Sequence, residues 1–367
     1  MRGLALAALI GLTALVTSAG AALTPGALIG TQGTITRIAA DGASVAAITS
    51  PKGACDRIVL WNSKTNAIST WQTAVGCAGG QTSGGQSVPE VAVAGNSVAW
   101  VEQISGNDQE LRLRTGTPGA KPKSVAFVTN GNGAGGQPDG DYLGNVYGER
   151  ATIAFNTWSV CALIPSGTED DLAKPCPTAP PSPPTVEQHV ATAQRLWKLA
   201  PGKTLIRSGA TALGIIGIDG GRIAVQQPDT GTVTVFDSTG KLVGTVAVPP
   251  GKTSGSVFQG SSIATLRNGN LETYGLNSSR RLRSFPIAEP GSVLRDLQNG
   301  IAVYVEGVRI HLIRLIDGSR ATIVAPGHAP VDAQLEPAGL YYSYNEITGT
   351  SRGRIAFLPF AQLKDLF

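Results

Sequence analysis

Short runs of β-branched and aromatic residues recur along the chain, and polar turn residues separate them. Two clear examples are Arg57-Ile58-Val59-Leu60-Trp61 and Thr232-Val233-Thr234-Val235-Phe236. Residues of this kind favour strands, and the Gly, Asn and Asp residues between the runs favour tight turns. The pattern predicts an all-β fold of short antiparallel strands.

A turn followed by a strand with Val-Ala or Ile-Ala recurs along the sequence. The copies are residues 41–46, 95–99, 148–154, 219–224, 260–264 and 299–302, with a degenerate seventh at 337–341. The later copies are spaced by about 40 residues, and the marker glycines are Gly42, Gly95, Gly148, Gly220, Gly260, Gly300 and Gly339. Each copy has one strand-like run before it and two after it. Four-stranded repeats of this length are typical of β-propeller blades, so we predict a seven-bladed propeller, or a six-bladed one if a terminal unit is partial.

One repeat carries a family resemblance. Residues 219–225 and 229–237 combine an Asp-Gly turn, an Ile-Ala strand, and a third strand that ends in Asp before a Gly-containing turn. This pattern resembles the WD40-like repeat of TolB-type propellers, and Asp41-Gly42 through Trp61 matches it more loosely. The resemblance spans most of residues 35–362. It implies the propeller fold but no particular activity, because propellers support many functions.

The N-terminal run Ala27-Leu28-Ile29-Gly30 can complete the ring. As the outer strand of the last unit it would pair with residues 354–360 and remove exposed sheet edges. We therefore predict closure of the ring by strand exchange between the two ends of the chain.

The four cysteines are predicted to form two local disulfides. In a four-stranded unit, the connection between the second and third strands lies on the same face as the connection to the next unit. Cys55 precedes a third strand and Cys77 follows a fourth, so these two residues should meet. Cys161 and Cys176 both fall in a proline-rich stretch, residues 157–190, which we interpret as a disulfide-pinned loop insertion; a linker between two domains is the alternative.

Residues 1–22 have the features of a secretory signal peptide. Met1 and Arg2 precede an apolar run of about 13 residues, and small residues follow at 19–21. An uncleaved membrane anchor is the alternative. No later run is long enough to span a membrane. We expect residues 23–367 to form a single propeller domain in an extracellular, periplasmic or cell-envelope location, where disulfides persist.

Composition narrows the class of partner. Glycine contributes 47 and proline 23 of the 367 residues without a collagen period, and 42% hydrophobic residues are too many for a disordered chain. With 29 basic and 25 acidic side chains the net charge is +4, and no basic stripe is visible. Nucleic acid is therefore not an expected partner. We expect a monomer that engages a protein or envelope component.

A calcium site is the one cofactor that the sequence suggests. Asn130, Asn132, Asp139 and Asp141 place four oxygen-bearing side chains in one glycine-rich loop. EF-hand spacing is absent, and a plain turn is the favoured interpretation. No other cofactor is expected.

Candidate catalytic groups are few. The three histidines lie in different units. The polar candidates near the start of an inner strand are Glu90, Asp141, Asp296 and Asp332, and the last two occupy comparable positions in successive units. Carboxylates around the axis serve as acids and bases in propeller glycosidases and lyases. His328 lies in a connection on the loop-rich face. Capping of strand ends is the favoured role for the carboxylates.

These observations favour a secreted binding or scaffold module that contacts a protein or envelope partner through its loop-rich face. The alternative is a propeller hydrolase or lyase that acts on a saccharide or small ester at the channel mouth.

Overall fold

The structure is a computed structural model that describes residues 25–77, 86–104, 108–131, 140–163, 176, 188–199, 202–209, 214–227, 230–249, 251–276, 278, 280–287, 290–346 and 352–367. The predicted signal peptide, residues 1–22, lies outside the described residues.

Strands account for nearly all the regular structure. The first half of the chain contains β1 (Ala27–Gln32), β2 (Thr34–Asp41), β3 (Ser44–Ser50), β4 (Arg57–Asn62), β5 (Ala67–Gln72), β6 (Ser87–Ala94), β7 (Ser97–Ile104), β8 (Asp108–Gly116), β9 (Lys123–Gly131), β10 (Gly140–Glu149), β11 (Thr152–Leu163), β12 (Gln188–Leu199) and β13 (Lys203–Gly209).

The second half continues the same pattern and ends in one short helix. Its elements are β14 (Gly214–Asp219), β15 (Arg222–Gln226), β16 (Val233–Phe236), β17 (Leu242–Val246), β18 (Thr253–Gln259), β19 (Ser262–Arg267), β20 (Asn270–Gly275), β21 (Arg281–Pro286), β22 (Val293–Gln298), β23 (Ile301–Glu306), β24 (Arg309–Arg314), β25 (Arg320–Val324), β26 (His328–Glu336), β27 (Gly339–Asn345), β28 (Arg352–Pro359) and α1 (Phe360–Lys364).

The strands pair as antiparallel meanders of four. Separate four-stranded sheets are formed by β2 to β5, β14 to β17, β18 to β21, β22 to β25, and β26 to β28 with β1. An eight-stranded sheet contains two consecutive meanders, β6 to β9 and β10 to β13. A single pairing, between Gly140 and Asn130, joins these two meanders.

The meanders form a ring. The first strand of each meander (β2, β6, β10, β14, β18, β22 and β26) contacts the first strand of the next, and β26 contacts β2. These inner strands surround a central channel, so the architecture is a β-propeller.

The hydrophobic core lies between successive sheets. Ile48 and Leu60 of the first meander pack against Val91 and Trp100 of the second. The alternate residue of β3, Ala47, packs on the other side against Tyr341. Successive strand residues point to opposite faces, so the central strands are apolar on both faces because each sheet packs between two neighbours.

The N-terminal strand closes the ring as the sequence predicts. β1 is the outermost strand of the last sheet and pairs with β28 from Ala27–Phe357 to Gln32–Arg352. Asn345 of β27 binds the first inner strand as well, because its Oδ1 accepts the Ile35 N–H at 2.7 Å and its Nδ2 donates to the Ile35 carbonyl at 3.1 Å.

The disulfide pairing also agrees with the sequence. Cys55 bonds to Cys77, and Cys161 bonds to Cys176. Both bonds lie where second-to-third-strand connections and meander-to-meander connections emerge, and we call this end of the ring the loop face. The opposite end holds the first turn of each meander, including Gly42, and we call it the turn face.

The predicted insertion at residues 157–190 is wrong at both boundaries. Residues 157–163 belong to β11 and residues 188–190 to β12, where Cys161 pairs with Val190. The reason is that the strand-breaking prolines of this region all fall between Pro165 and Pro184, so the flanking β-prone residues can extend the hairpin. The inserted segment is therefore residues 164–187, of which Cys176 alone is described.

Two marker glycines are not turn residues. Gly148 lies inside β10, and the turn is made by Arg150, whose φ is 54°. A side chain at Gly148 would collide with the backbone of Val93 in the neighbouring inner strand, so the glycine allows close approach of two strands. Gly339 begins β27, after the turn has ended.

The closing strand offers a direct test of ring closure. Ile29 is buried in the core beside β2, whereas Leu28 on the same strand is 46% exposed. We expect Ile29→Asp to lower the free energy of unfolding by more than about 3 kcal/mol, because it places a charge in an apolar core. Leu28→Asp, the matched control, should change it by about 0.5 kcal/mol or less. Urea unfolding followed by tryptophan fluorescence measures both, and equal effects would contradict the closure.

Candidate functional site in the central channel

The inner strands enclose a channel with a volume of about 850 Å³. Its charged lining residues are Arg37, Asp41, Glu90, Glu149, Arg150, Asp219, Arg295, Asp296, Asp332 and Glu336. Among the described residues, the channel therefore has seven carboxyl groups and three guanidinium groups. These ten residues are a minority of the 29 basic and 25 acidic side chains of the chain, but they meet in one cavity.

Bulges in the inner strands determine which side chains reach the channel. Every inner strand shifts register against its neighbour, between Ile35 and Arg37, Ser87 and Glu90, Leu143 and Val146, Ile215 and Gly217, Thr253 and Ser256, Leu294 and Asp296, and His328 and Asp332. A bulge bends the strand and re-aims side chains. Arg37, Glu90, Asp296 and Asp332 each stand directly after a shift.

Asp296 and Asp332 hold equivalent positions, as their places in the repeat suggest. Each carboxylate accepts the N–H of the next residue, Leu297 at 2.7 Å and Ala333 at 3.0 Å. The second oxygen accepts an N–H from the next meander: Asp296 Oδ2 from Leu335 at 2.8 Å, and Asp332 Oδ2 from Ile38 at 3.0 Å. Both carboxylates therefore connect adjacent meanders through backbone amides.

Two arginines accompany these carboxyl groups. Arg37 Nη1 donates to Glu90 Oε1 at 2.7 Å and to the Pro89 carbonyl at 2.9 Å, which links the first and second meanders. Arg295 Nε lies 3.2 Å from Asp332 Oδ1, an ion pair in which the N–H is not directed at the oxygen. The search for carboxylates and histidines in the sequence missed both arginines.

Tyr147 of β10 is the third channel residue that the sequence search missed. Burial raises the pKa of its hydroxyl to about 12, and it interacts electrostatically with Glu90, Arg37, Asp296 and Arg295. A polar residue in the run before each turn marker is the signal that could have found all three, because that run becomes the inner strand.

Two carboxyl groups have strongly raised pKa values. Burial raises the pKa of Asp296 from 3.8 to about 7, against the opposing effect of its backbone hydrogen bonds. Burial also raises the pKa of Glu336 from 4.5 to about 8, and the nearby charges of Asp296, Asp41 and Glu149 add to the shift. Burial raises the pKa of Glu90 as well, in spite of its ion pair with Arg37.

A second set of carboxylates surrounds the turn-face mouth of the channel. Each is the last residue of an inner strand and accepts a hydrogen bond from a turn N–H of the next meander. The pairs are Asp41 with Gly95 at 2.6 Å, Glu149 with Gly220 at 3.0 Å, Asp219 with Gly260 at 2.9 Å, and Glu336 with Gly42 at 2.9 Å. The Asp-Gly pattern of the repeat is thus a connection between neighbouring meanders.

The other predicted catalytic candidates do not join this cluster. His328 begins β26 as an exposed residue, pairs with Asn345 in the sheet, and does not line the channel. Asp141 of β10 accepts a hydrogen bond from the Ser159 hydroxyl within its own meander. Glu90, in contrast, is part of the channel.

The predicted calcium ligands are described only in part. Asn132 and Asp139 lie outside the described residues. Asn130 Nδ2 donates to the Asp141 carbonyl at 3.3 Å and to Gln109 Oε1 at 3.2 Å. Within the described ranges, no group of three or more His, Cys, Asp or Glu side chains is arranged to hold a metal ion. The described part of the chain also contains no helix that is long and apolar enough to cross a membrane.

The raised pKa values predict how stability depends on pH. Between about pH 4 and 8 the folded protein holds protons on Asp296 and Glu336 that the unfolded chain has released, so stability should fall as pH rises through this window. Asp296→Asn and Glu336→Gln should each flatten the slope, measured by urea unfolding at several pH values.

Asp317→Asn is the control for this measurement. Its hydrogen bond with Arg314 holds the pKa of Asp317 below its usual range, so its contribution is lost only in acid. This variant should keep the wild-type slope between pH 5 and 8. A slope in the Asp296 and Glu336 double variant as steep as that of the wild type would refute the assignment.

Comparisons with known proteins concern the fold. No family model and no curated protein matches the sequence. Among solved structures, the chain is similar to KlHsv2 with loop 6CD replaced by a Gly-Ser linker, with 8% identity, a TM-score of 0.52, and coverage of 89% of this chain and 98% of that chain. It is also similar to the β-propeller domain of Myceliophteria thermophila Cps50 (Swd1), with 10% identity, a TM-score of 0.49, and coverage of 91% and 99%. For Saccharomyces cerevisiae Sqt1 the identity is 11%, the TM-score 0.49, and the coverage 92% and 99%.

Proposed function

We propose that this chain is an exported seven-bladed β-propeller, of the TolB-like type, that binds a protein or cell-envelope partner through its loop face without catalysis of its own. The observation that carries the proposal is the position of both disulfides. Cys55–Cys77 and Cys161–Cys176 fix connections on the same face. Rigidly anchored connections on a stable scaffold are where binding residues usually lie.

The strand pairing supports the proposal of seven blades. The eight-stranded sheet counts as two blades, because a single pairing joins its two meanders. The inner strands then form a closed circle of seven blades. A six-bladed ring would require one meander to lie outside that circle. The Asp219-Gly220 turn supports the TolB-like assignment, because it resembles that repeat.

Export is supported by the disulfides and by the sequence of residues 1–22. Disulfides persist in oxidising compartments, which fits an extracellular, periplasmic or envelope location. We expect a monomer, because ring closure by β1 leaves no strand of the last sheet to be supplied by another chain.

Binding is favoured over catalysis because the channel carboxylates are already engaged. Both oxygens of Asp296 and of Asp332 accept backbone N–H groups, and the turn-face carboxylates accept turn amides. Backbone N–H groups bound to both oxygens favour a structural role for Asp296 and Asp332 over that of a nucleophile or general base. These groups instead connect the meanders.

The loop face can be tested by replacing residues 164–187 with a Gly-Ser linker, together with Cys161→Ser to leave no unpaired thiol. Affinity capture from a cell-envelope fraction, followed by biolayer interferometry with the captured protein, would measure binding. We expect at least a tenfold loss of affinity, because the segment pinned by the disulfide is removed.

Ile316→Ser provides the control for the loop replacement. Ile316 is 73% exposed and lies in the turn between β24 and β25 on the turn face. Its replacement should leave the affinity unchanged. Undiminished capture by the loop variant would count against the loop face as the binding surface.

A hydrolase or lyase is the second candidate, and the pKa of Asp296 near 7 is the observation that favours it. The test is turnover of a panel of nitrophenyl glycosides and esters by the wild type, Asp296→Asn and His328→Ala. We expect no turnover by the wild type above that of the variants. A 100-fold loss of a measurable wild-type rate in Asp296→Asn would establish an enzyme instead.

A further inference from the structure

Hydrogen-bond donors and acceptors are not balanced in the middle of the channel. Each oxygen of Asp296 and Asp332 already accepts a backbone N–H, and Glu90 Oε1 accepts from Arg37. Each of these five oxygens therefore already has a donor within the fold.

The donors are not used to the same extent. Arg37 Nε and Nη2, and Arg295 Nη1 and Nη2, have no hydrogen-bond partner among the residues that the structure describes. Arg295 Nε is buried and also lacks a directed hydrogen bond. The Tyr147 hydroxyl has no such partner in the described ranges either. We call Arg37, Tyr147 and Arg295 the donor cluster.

The donor cluster is held in place by the bulges. Arg295 is the unpaired residue of the bulge in β22, and Arg37 follows the bulge in β2. Asp332 interacts with both, because Arg295 pairs with its carboxylate and its charge also acts on Arg37. Guanidinium groups fixed in this way present planar pairs of N–H donors, which match the geometry of a carboxylate.

We propose that the middle of the channel binds a carboxylate group between Arg37 and Arg295, with the Tyr147 hydroxyl as a third donor. The carboxylate is either the C-terminus of a peptide or part of a free small acid. In the first case the inference rests on the proposed function, because the peptide belongs to the partner at the loop face.

Charge determines the direction of approach. Asp41, Glu149 and Asp219 surround the turn-face mouth and repel an anion there, so the ligand enters from the loop face. In the middle of the channel, the raised pKa of Asp296 leaves that carboxyl mostly neutral at pH 6. Two guanidinium charges then face two carboxylates that are already paired with them.

The experiment is titration calorimetry at pH 6 and low salt on the full chain. The probes are citrate, N-acetyl-triglycine with a free carboxylate, and the same peptide as its C-terminal amide. We expect citrate or the free peptide acid to bind, and the amide to show no binding. Binding of the peptide acid indicates a C-terminus as the natural ligand, and binding of citrate alone indicates a small acid.

Variants assign the binding to the donor cluster. Arg37→Gln and Arg295→Gln should each weaken binding at least tenfold, and Arg295→Lys should weaken it less, since it keeps the charge but loses the paired donors. The double variant Arg37→Gln, Glu90→Gln replaces the ion pair by two neutral side chains that can still hydrogen-bond. It shows whether an effect of Arg37→Gln alone comes from unfolding caused by an unpaired Glu90. Arg309→Gln is the control, because Arg309 is exposed and pairs with Glu306 away from the channel.

The proposal is overturned if neither acid binds the wild type, if the amide binds as tightly as the acid, or if Arg309→Gln weakens binding as much as Arg295→Gln. Its failure is separable from that of the proposed function. Partner capture that depends on the loop face while no acid binds would refute only the donor cluster. Acid binding that depends on Arg295, with capture insensitive to the loop replacement, would refute only the loop face.

Discussion

The free edge of each inner strand is the constraint on which the rest of this structure depends. An inner strand pairs on one side only, and the backbone groups and turns that face the neighbouring meander need partners within the ring. Carboxylates of the preceding meander supply them: Asp41 for Gly95, Asp219 for Gly260, Asp296 for Leu335 and Asp332 for Ile38. Hydrogen bonds contribute roughly 0.5–1.5 kcal/mol each, and roughly 1.5–3 kcal/mol where the acceptor is charged, so this series of contacts has a large effect on how the meanders join.

The seam between the last and first meanders has the most such contacts. Asn345 binds Ile35 through both its oxygen and its nitrogen, and Glu336 accepts the Gly42 N–H. The Tyr341 hydroxyl lies 2.6 Å from the Ser63 hydroxyl across the same seam. This is where the two ends of the chain meet, so side-chain contacts between the meanders add to the pairing of β1 with β28. The ring is closed by two independent means.

Much of the fold could be predicted from the sequence because the same pattern of a turn and a strand recurs in each repeat. The turn and the Ile-Ala strand define each meander, and the strand order places Cys55 beside Cys77. The boundaries of the insertion could not be predicted, since pairing of Cys161 with Val190 depends on residues far apart in sequence. In the channel, Asp296 and Asp332 stand out because they occupy the same position in successive repeats. Arg37 and Arg295 can be recognised as polar residues of inner-strand runs, but a one-residue bulge decides which side chain faces the channel, and the sequence does not mark the bulge.

The same constraint explains why a channel with many carboxylates offers donors. Asp296 and Asp332 accept backbone N–H groups through both carboxyl oxygens, and one of the two bonds in each case comes from the next meander. Arginines at the bulges pair with only part of their N–H groups, since the fold supplies few further acceptors near Arg37 and Arg295. In the middle of the channel, guanidinium N–H groups therefore remain available although carboxyl groups outnumber guanidinium groups. Recognition in a pocket depends on the hydrogen-bonding groups that remain free as well as on the total charge. Here the free N–H groups of the donor cluster suit a hydrogen-bond acceptor that enters the channel from the loop face.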